Sequence, residues 1–451
     1  MNAGHVVSIT ALLCLAVVDV GRGEGPKAAA PAGPPPPPIV AREDGRLIIP
    51  AGSLQAAGQP LIKCVVSGAA PLAVTAVAFS PNGKLLAAGD ARGVVLWDLE
   101  GAKLLKRVGG GQLTAVHALA FSKDGGLLAV GEGSAGVSGD VRLFEVASGR
   151  QAALLEGPKD VVYALAISGE ANLLACGAAD GKAYVWNLAD KRLVTTIQEH
   201  GDWVLGVAFS PDGKLLATGG ADKSTQVWEV GTWKSANKFL QAETVQATAF
   251  SPDGKLLVWA VAGTQQPMLR WREPLDPPEN PKDSKKERVI PQVRNTDING
   301  GAPLAMVFGA LRLPKQNPQP RLVVACTDKT VKVYNDGGGQ MSSLTGHGDW
   351  VYCVAMSADG TLFASGSADG TLKLWSGTEM RPLATLALLD DKEGWLILTA
   401  PGYFAASTPA AIGWDKLKLT LAPERLAELL AKPELVRDCL AGKNVAPPAL
   451  K

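Results

Sequence analysis

The chain has 451 residues, 47% hydrophobic and 19% charged, with 44 lysines and arginines against 43 aspartates and glutamates. The resulting net charge of +1 excludes the single-signed field that draws a protein to nucleic acid or an anionic membrane, and the apolar content excludes a disordered or coiled-coil chain. Its six cysteines, Cys14, Cys64, Cys176, Cys326, Cys353 and Cys439, are spaced too widely and irregularly for a disulfide framework and read as small residues buried in strands.

In chain order, Val6 to Val18 is an apolar run of about thirteen residues, the length of a signal-peptide core and too short for a membrane-spanning helix. Residues 1–25 are therefore expected to be a signal peptide, which makes the mature chain periplasmic or secreted, without membrane insertion of its own. A misassigned start codon would instead make it cytoplasmic. Pro26 to Pro38, unbroken proline from Pro34, has almost no backbone donors, so residues 26–40 read as a stiff extended linker.

From residue 41 to 389 one pattern returns. Its clearest copies are HGDWVLGVAFSPDGKLLATGGADKSTQVWEV from His200 and HGDWVYCVAMSADGTLFASGSADGTLKLWSG from His347. Others begin at Val74, Val116, Val161 and Val245, and the most diverged spans Pro303 to Asn335. The residues before the first turn, Phe79, Phe121, Ile167, Phe209, Phe250, Phe308 and Met356, follow one another at offsets of 42, 46, 42, 41, 58 and 48. Within each copy, apolar and small residues alternate as a strand requires, a Pro-Asp-Gly type turn follows, and a second strand begins at once. Each copy closes on an aromatic residue: Trp97, Phe144, Trp186, Trp228, Trp271, Tyr334 and Trp375.

These copies resemble the WD repeat, whose period is about 40 to 45 residues. The resemblance implies an all-β fold, a seven-bladed WD40 β-propeller with four strands per blade. It also implies a buried hydrogen-bonded chain of His, Ser or Thr, Asp and Trp. The matching residues are His200, Thr218, Asp222 and Trp228 in the fourth copy and His347, Ser365, Asp369 and Trp375 in the seventh. The third copy has Pro158 and Cys176 at the His and hydroxyl positions and should lack much of this network. Ring closure is expected from Leu61 to Val66 pairing with the seventh blade, with Leu383 to Leu388 as the rival for that edge.

Two insertions, Glu273 to Lys286 after the third strand of blade five and Arg312 to Pro320 between the first two strands of blade six, should emerge on the face opposite the His-bearing loops. On the His-bearing face, Trp203, Trp350, His117, Tyr163 and Tyr352 stand where the family resemblance places the mouth of the central channel, as candidate partner-binding residues. From Asp390 the repeat stops. The segment DDKEGWLILTAPGYFAASTPAAIGWDKLKLTL resembles the tail behind propellers in bacterial WD-repeat proteins, some of them fused to caspase-like peptidases. Pro423 to Leu430 and Pro433 to Leu440 read as two short helices with proline in the first turn, so residues 390–451 form a C-terminal α-helical extension packing on the propeller.

Catalytic constellations do not assemble from this sequence. Of its four histidines, His5 is in the leader, His200 and His347 belong to the repeat, and His117 stands alone. There is no Cys-x-x-Cys, which leaves zinc and c-type haem unsupported, and the glycine triplets at 109–111 and 337–339 read as turns rather than phosphate cradles. The channel-mouth positions, Thr75, His117, Tyr163, Leu205, Gln246, Leu304 and Tyr352, include no carboxylate. The chain is expected to be a monomeric, non-catalytic scaffold for other proteins, without cofactor or metal. The alternatives are a propeller enzyme, hydrolase or quinone-linked dehydrogenase, with its site in the channel, and an accessory subunit of a separate caspase-like peptidase.

Overall fold

The computed structural model describes residues 72–109, 111–263, 268–272, 294–312, 317–388, 394–407 and 428–446, together with the backbone of the strands Ala41–Glu43, Arg46–Pro50, Lys63–Ser67 and Ile412–Trp414. The expected signal peptide and linker, the whole Glu273 to Lys286 insertion, the centre of the Arg312 to Pro320 insertion and the start of the first expected helix lie outside the described residues.

Seven antiparallel sheets follow one another along the chain, spanning residues 76–108, 116–155, 162–197, 204–240, 244–297, 303–345 and 351–388, and they form a seven-bladed β-propeller. Within a blade the strands lie in sequence order, and the innermost strand of each packs beside that of the next. Blade four shows how the sequence does this. Its second and third strands, Leu215–Gly220 and Ser224–Glu229, are almost wholly buried because a neighbouring sheet covers each face, whereas the outer strand Ser235–Leu240 alternates with solvent. The first turn is built by side chains as well as by Gly213 at φ +71°: Ser210 donates to Asp212 (2.6 Å), and its oxygen accepts from the N–H of Leu215 (2.9 Å). The same Ser-to-Asp bond recurs at Ser122, Ser251 and Ser357, and Ser80 makes it to Asn82.

Ring closure differs from the sequence expectation. Pro382–Leu388 is the fourth strand of blade seven, and Trp395–Thr399 and Phe404–Ala406 extend that sheet outward to six strands. The edge expected for the N-terminal strand is therefore held by Pro382–Leu388, the rival read from the sequence. Lys63–Ser67 instead pairs with Arg46–Pro50 and Ile412–Trp414 in a separate four-stranded sheet. The seam between blades seven and one is closed by packing: the N–H of Val74 donates to Ser367 O (2.9 Å), and the tail residues Ile397, Tyr403, Val436 and Leu440 join Val95 and Trp97 of blade one and Leu383 and Leu386 of blade seven in one core. Trp395 meets Trp97 edge to face at 6.3 Å.

Of the two expected helices, Pro433–Leu440 forms as read, with proline in its first turn, and residues 428–430 are helical ahead of it. Cys176, Cys326 and Cys353 are free thiols buried in strands as expected, whereas Cys439 is buried in this helix.

A close contact repeats around the ring. Gly89, Gly131, Gly177, Gly219 and Gly366, each in the second strand of a blade, face a valine of the next blade, respectively Val116, Val162, Val204, Val245 and Val74, so tightly that a Cβ on the glycine would overlap it. A Cβ on Gly131, for example, would stand 2.7 Å from Val162 Cγ1. Gly131→Ala is therefore expected to destabilise the protein by about 1–3 kcal/mol through overpacking. In urea unfolding, Gly131→Ala/Val162→Ala should lose less than the sum of the single changes; strict additivity would show that the two residues do not interlock.

Candidate functional site

The loops that enter blades four and seven are clamped by the expected residues. Trp228 Nε1 donates to Thr218 Oγ1 (3.0 Å), Thr218 to His200 Nε2 (2.7 Å), and His200 Nδ1 to Asp222 (3.0 Å). An indole N–H only donates and a carboxylate only accepts, and burial favours the neutral imidazole, in which Thr218 donates to Nε2 and Nδ1 donates to Asp222. In blade seven the corresponding distances are 2.8 Å from Trp375 to Ser365, 2.7 Å to His347 Nε2 and 3.2 Å from His347 Nδ1 to Asp369. Burial lowers the pKa of both histidines against the pull of their aspartates. Burial also pushes Asp222 and Asp369 up, but bonds from the histidines, hydroxyls and backbone N–H groups outweigh it and leave both below the usual carboxylate value.

Each clamp ends at the tryptophan that follows it. Asp222 accepts the N–H of Gly201, Asp202 accepts the N–H of Trp203 (2.8 Å), and Trp203 O accepts from Ala221 (2.8 Å). Trp350 is held in the same way by Asp349 and Ala368 (2.9 Å each).

Blades without the full set use other fasteners, which sequence reading missed. In blade three, Tyr184 donates to Asp180 (2.6 Å) and Trp186 to the carbonyl of Glu156 (3.2 Å), so the blade that lacks the histidine is still tied. Arg142 pairs with buried Glu132 in blade two, and Lys332 with Asp328 in blade six. These three sit two residues before the closing aromatic, on the third strand, and that periodic position was the available signal. In blade one Ala88 replaces the hydroxyl, and among the described residues Trp97 Nε1 has no hydrogen-bond partner.

The seven innermost strands line a central channel of about 220 Å³. All seven positions read as its mouth, Thr75, His117, Tyr163, Leu205, Gln246, Leu304 and Tyr352, are in its wall. The candidate binding residues fall into two groups. His117, Tyr163 and Trp203, from blades two, three and four, form a row with ring centroids 5.9 and 5.8 Å apart, while Trp350 and Tyr352 meet within blade seven at 6.5 Å. Burial lowers the His117 pKa to about 4, so its ring is neutral at physiological pH. Its Nε2 is buried and, among the described residues, has no hydrogen-bond partner.

Beside this row stands a feature that sequence reading did not single out. In blade two, Leu127–Ser134 and Ser138–Glu145 carry their ladder three residue pairs beyond the point where that of blade four stops. The tip projects on the loop face with Val137 78% exposed, and Gly136 donates to Asp160 (2.9 Å) at the entry of blade three.

Four segments, 62–98, 149–187, 191–229 and 338–376, match the family model "WD domain, G-beta repeat". In these four segments the chain is similar to WD40 repeats. Each matched WD40 segment begins on the strand preceding its blade, so the sequence unit is staggered by one strand against the structural one. That stagger is why Lys63–Ser67 reads as a ring-closing strand. Among similar proteins, the small ribosomal subunit protein RACK1 of Caenorhabditis elegans is 40% identical over 77 residues, 17% of this chain and 24% of that protein. The serine-threonine kinase receptor-associated protein of Bos taurus is 43% identical over 61 residues, 13% and 17% of the two chains. Apoptotic protease-activating factor 1 of Danio rerio is 34% identical over 73 residues, 16% and 6%. The match thus spans less than a quarter of each relative.

Two outcomes test the WD40 clamp. Thr218→Val leaves the Trp228 N–H and His200 Nε2 unpaired and should cost about 1–3 kcal/mol, with Thr218→Ser close to wild type in chemical denaturation. His200, His347 and His117 have folded pKa values below the usual 6.5, so below that pH the unfolded chain binds more protons than the folded one. The melting temperature should therefore fall as pH drops from 7 toward 5, and fall further below the usual aspartate value of 3.8 as Asp222 and Asp369 protonate. A flat profile between pH 7 and 5 would show that the histidines are not held neutral.

Proposed function

We propose that this chain is a non-catalytic propeller that holds other proteins on the face where blade-to-blade loops meet the channel. The observation that carries this is the aromatic set His117, Tyr163, Trp203, Trp350 and Tyr352 at the mouth, two members of which stand on loops locked by buried hydrogen bonds. Rigid, half-buried aromatic side chains bind at low entropic cost and dominate interface energetics. The names of the similar proteins, a ribosomal subunit protein, a kinase-receptor-associated protein and a protease-activating factor, all describe association with other proteins. Against a channel enzyme stands the chemistry of the wall: among its lining residues there is no carboxylate, lysine or arginine. We also propose export of the mature chain, on the apolar run from Val6 to Val18.

The test is quantitative affinity capture from the native host with wild type, Trp203→Ala, Trp350→Ala and a deletion of Glu273 to Lys286. Each tryptophan change should reduce recovery of the specific partner about 30-fold, as expected for a hot-spot residue, while the deletion leaves it unchanged. The reverse pattern moves the binding surface to the opposite face. An enzymatic activity that follows the isolated propeller at constant ratio would overturn the scaffold reading.

A further inference from the structure

We infer that the channel mouth at blades two to four receives a guanidinium group, the arginine side chain of a partner peptide, between the His117, Tyr163 and Trp203 rings and the carboxylates of the adjoining loops. This rests on the scaffold reading and names the chemistry of the partner. Aromatic faces carry negative potential and attract cations, arginine above all. The rings form a continuous row, with centroid spacings of 5.9 and 5.8 Å, along one side of a channel lined by no lysine or arginine. His117 adds no opposing charge, because burial keeps it neutral.

The rim is complementary as well. Asp160, Asp202 and Asp349 stand two residues before the innermost strands of blades three, four and seven, and among the described residues none forms an ion pair with a lysine or arginine. Of the basic residues on nearby loops, Lys223 lies 3.9 Å from Glu243, and Lys159 is exposed beside Asp160.

A second, independent observation is His117 Nε2. It is buried, and among the described residues it has no hydrogen-bond partner. A guanidinium offers five N–H groups in a planar fork, enough to serve a carboxylate and this nitrogen together while its face lies on a ring. The projecting hairpin sets Val137 against the same sector, an apolar wall for the residue that flanks the arginine.

The test is fluorine NMR of the full chain labelled with 5-fluorotryptophan, the Trp203 signal being assigned from its loss in Trp203→Phe. N-acetyl-arginine methylamide should shift that signal saturably. The citrulline analogue, equal in shape but neutral, and N-acetyl-lysine methylamide should each bind at least about 5-fold more weakly, and Tyr163→Leu should weaken the arginine probe roughly 3- to 10-fold. Unmoved signals of Trp186, Trp228 and Trp375 will show that this variant is folded. Equal binding of citrulline or lysine, or no saturable shift, overturns the inference. If Trp203→Ala abolishes partner capture while the arginine probe is silent, the scaffold reading stands and the guanidinium site falls. A responding probe with no partner captured keeps the guanidinium site and removes the scaffold reading.

Discussion

The ring depends on one steric constraint, the seating of a valine in or just before an innermost strand against a glycine of the blade before it. Five blade boundaries share it, including the boundary where the last blade meets the first. Because the glycine lacks a Cβ, the sheets approach closely near the axis, while the closing aromatic fills the wider space further out. Trp97, Phe144, Trp186, Trp228, Tyr334 and Trp375 are all buried. Narrow contact inside and bulk outside give each pair of sheets the wedge shape that turns a stack into a circle.

The polar clamps act on this frame without building it. Blade one has no clamp on Trp97, yet its core is as buried as that of blade four. The clamps instead fix the loops at the channel mouth, since each ties a loop backbone N–H to a carboxylate of the neighbouring turn. A loop so tied presents its tryptophan at one position, and the ordering cost of binding has been met during folding. Blades two, three and six, which lack the histidine, reach the same end through arginine, tyrosine and lysine on the third strand.

Much of this was legible in the sequence because it rests on local chemistry. The strand-turn-strand rhythm, the closing aromatics, both His-Asp sets and all seven channel-mouth positions follow from residue type at a fixed place in the repeat. What was not legible depends on who else occupies an edge. Leu61 to Val66 has the pattern of a ring-closing strand, but nothing local to it reveals that Pro382–Leu388 and two tail strands already fill blade seven. The long hairpin ending at Val137 was hidden for another reason. Its extra pairs join Glu132, Gly133 and Ser134 to Asp140, Gly139 and Ser138, residues small or polar enough to read as loop, and only pairing across the sheet makes them strand. The substitute fasteners at Tyr184, Arg142 and Lys332 were missed because their partners lie at spacings the histidine pattern does not contain.

Because every blade is drawn from one unbroken stretch of chain, its hydrogen-bonded ladders join residues close in sequence. A chain emerging from its N-terminal end can complete each sheet as soon as the outer strand appears, without waiting for a distant partner. The junction of the seventh sheet with the first needs both ends of the disc, and the residues that seal it, Trp395, Tyr403 and Val436 among them, are made after all seven blades. Synthesis order and assembly order thus coincide, and a nascent chain interrupted before residue 395 would hold finished sheets with an unsealed gap.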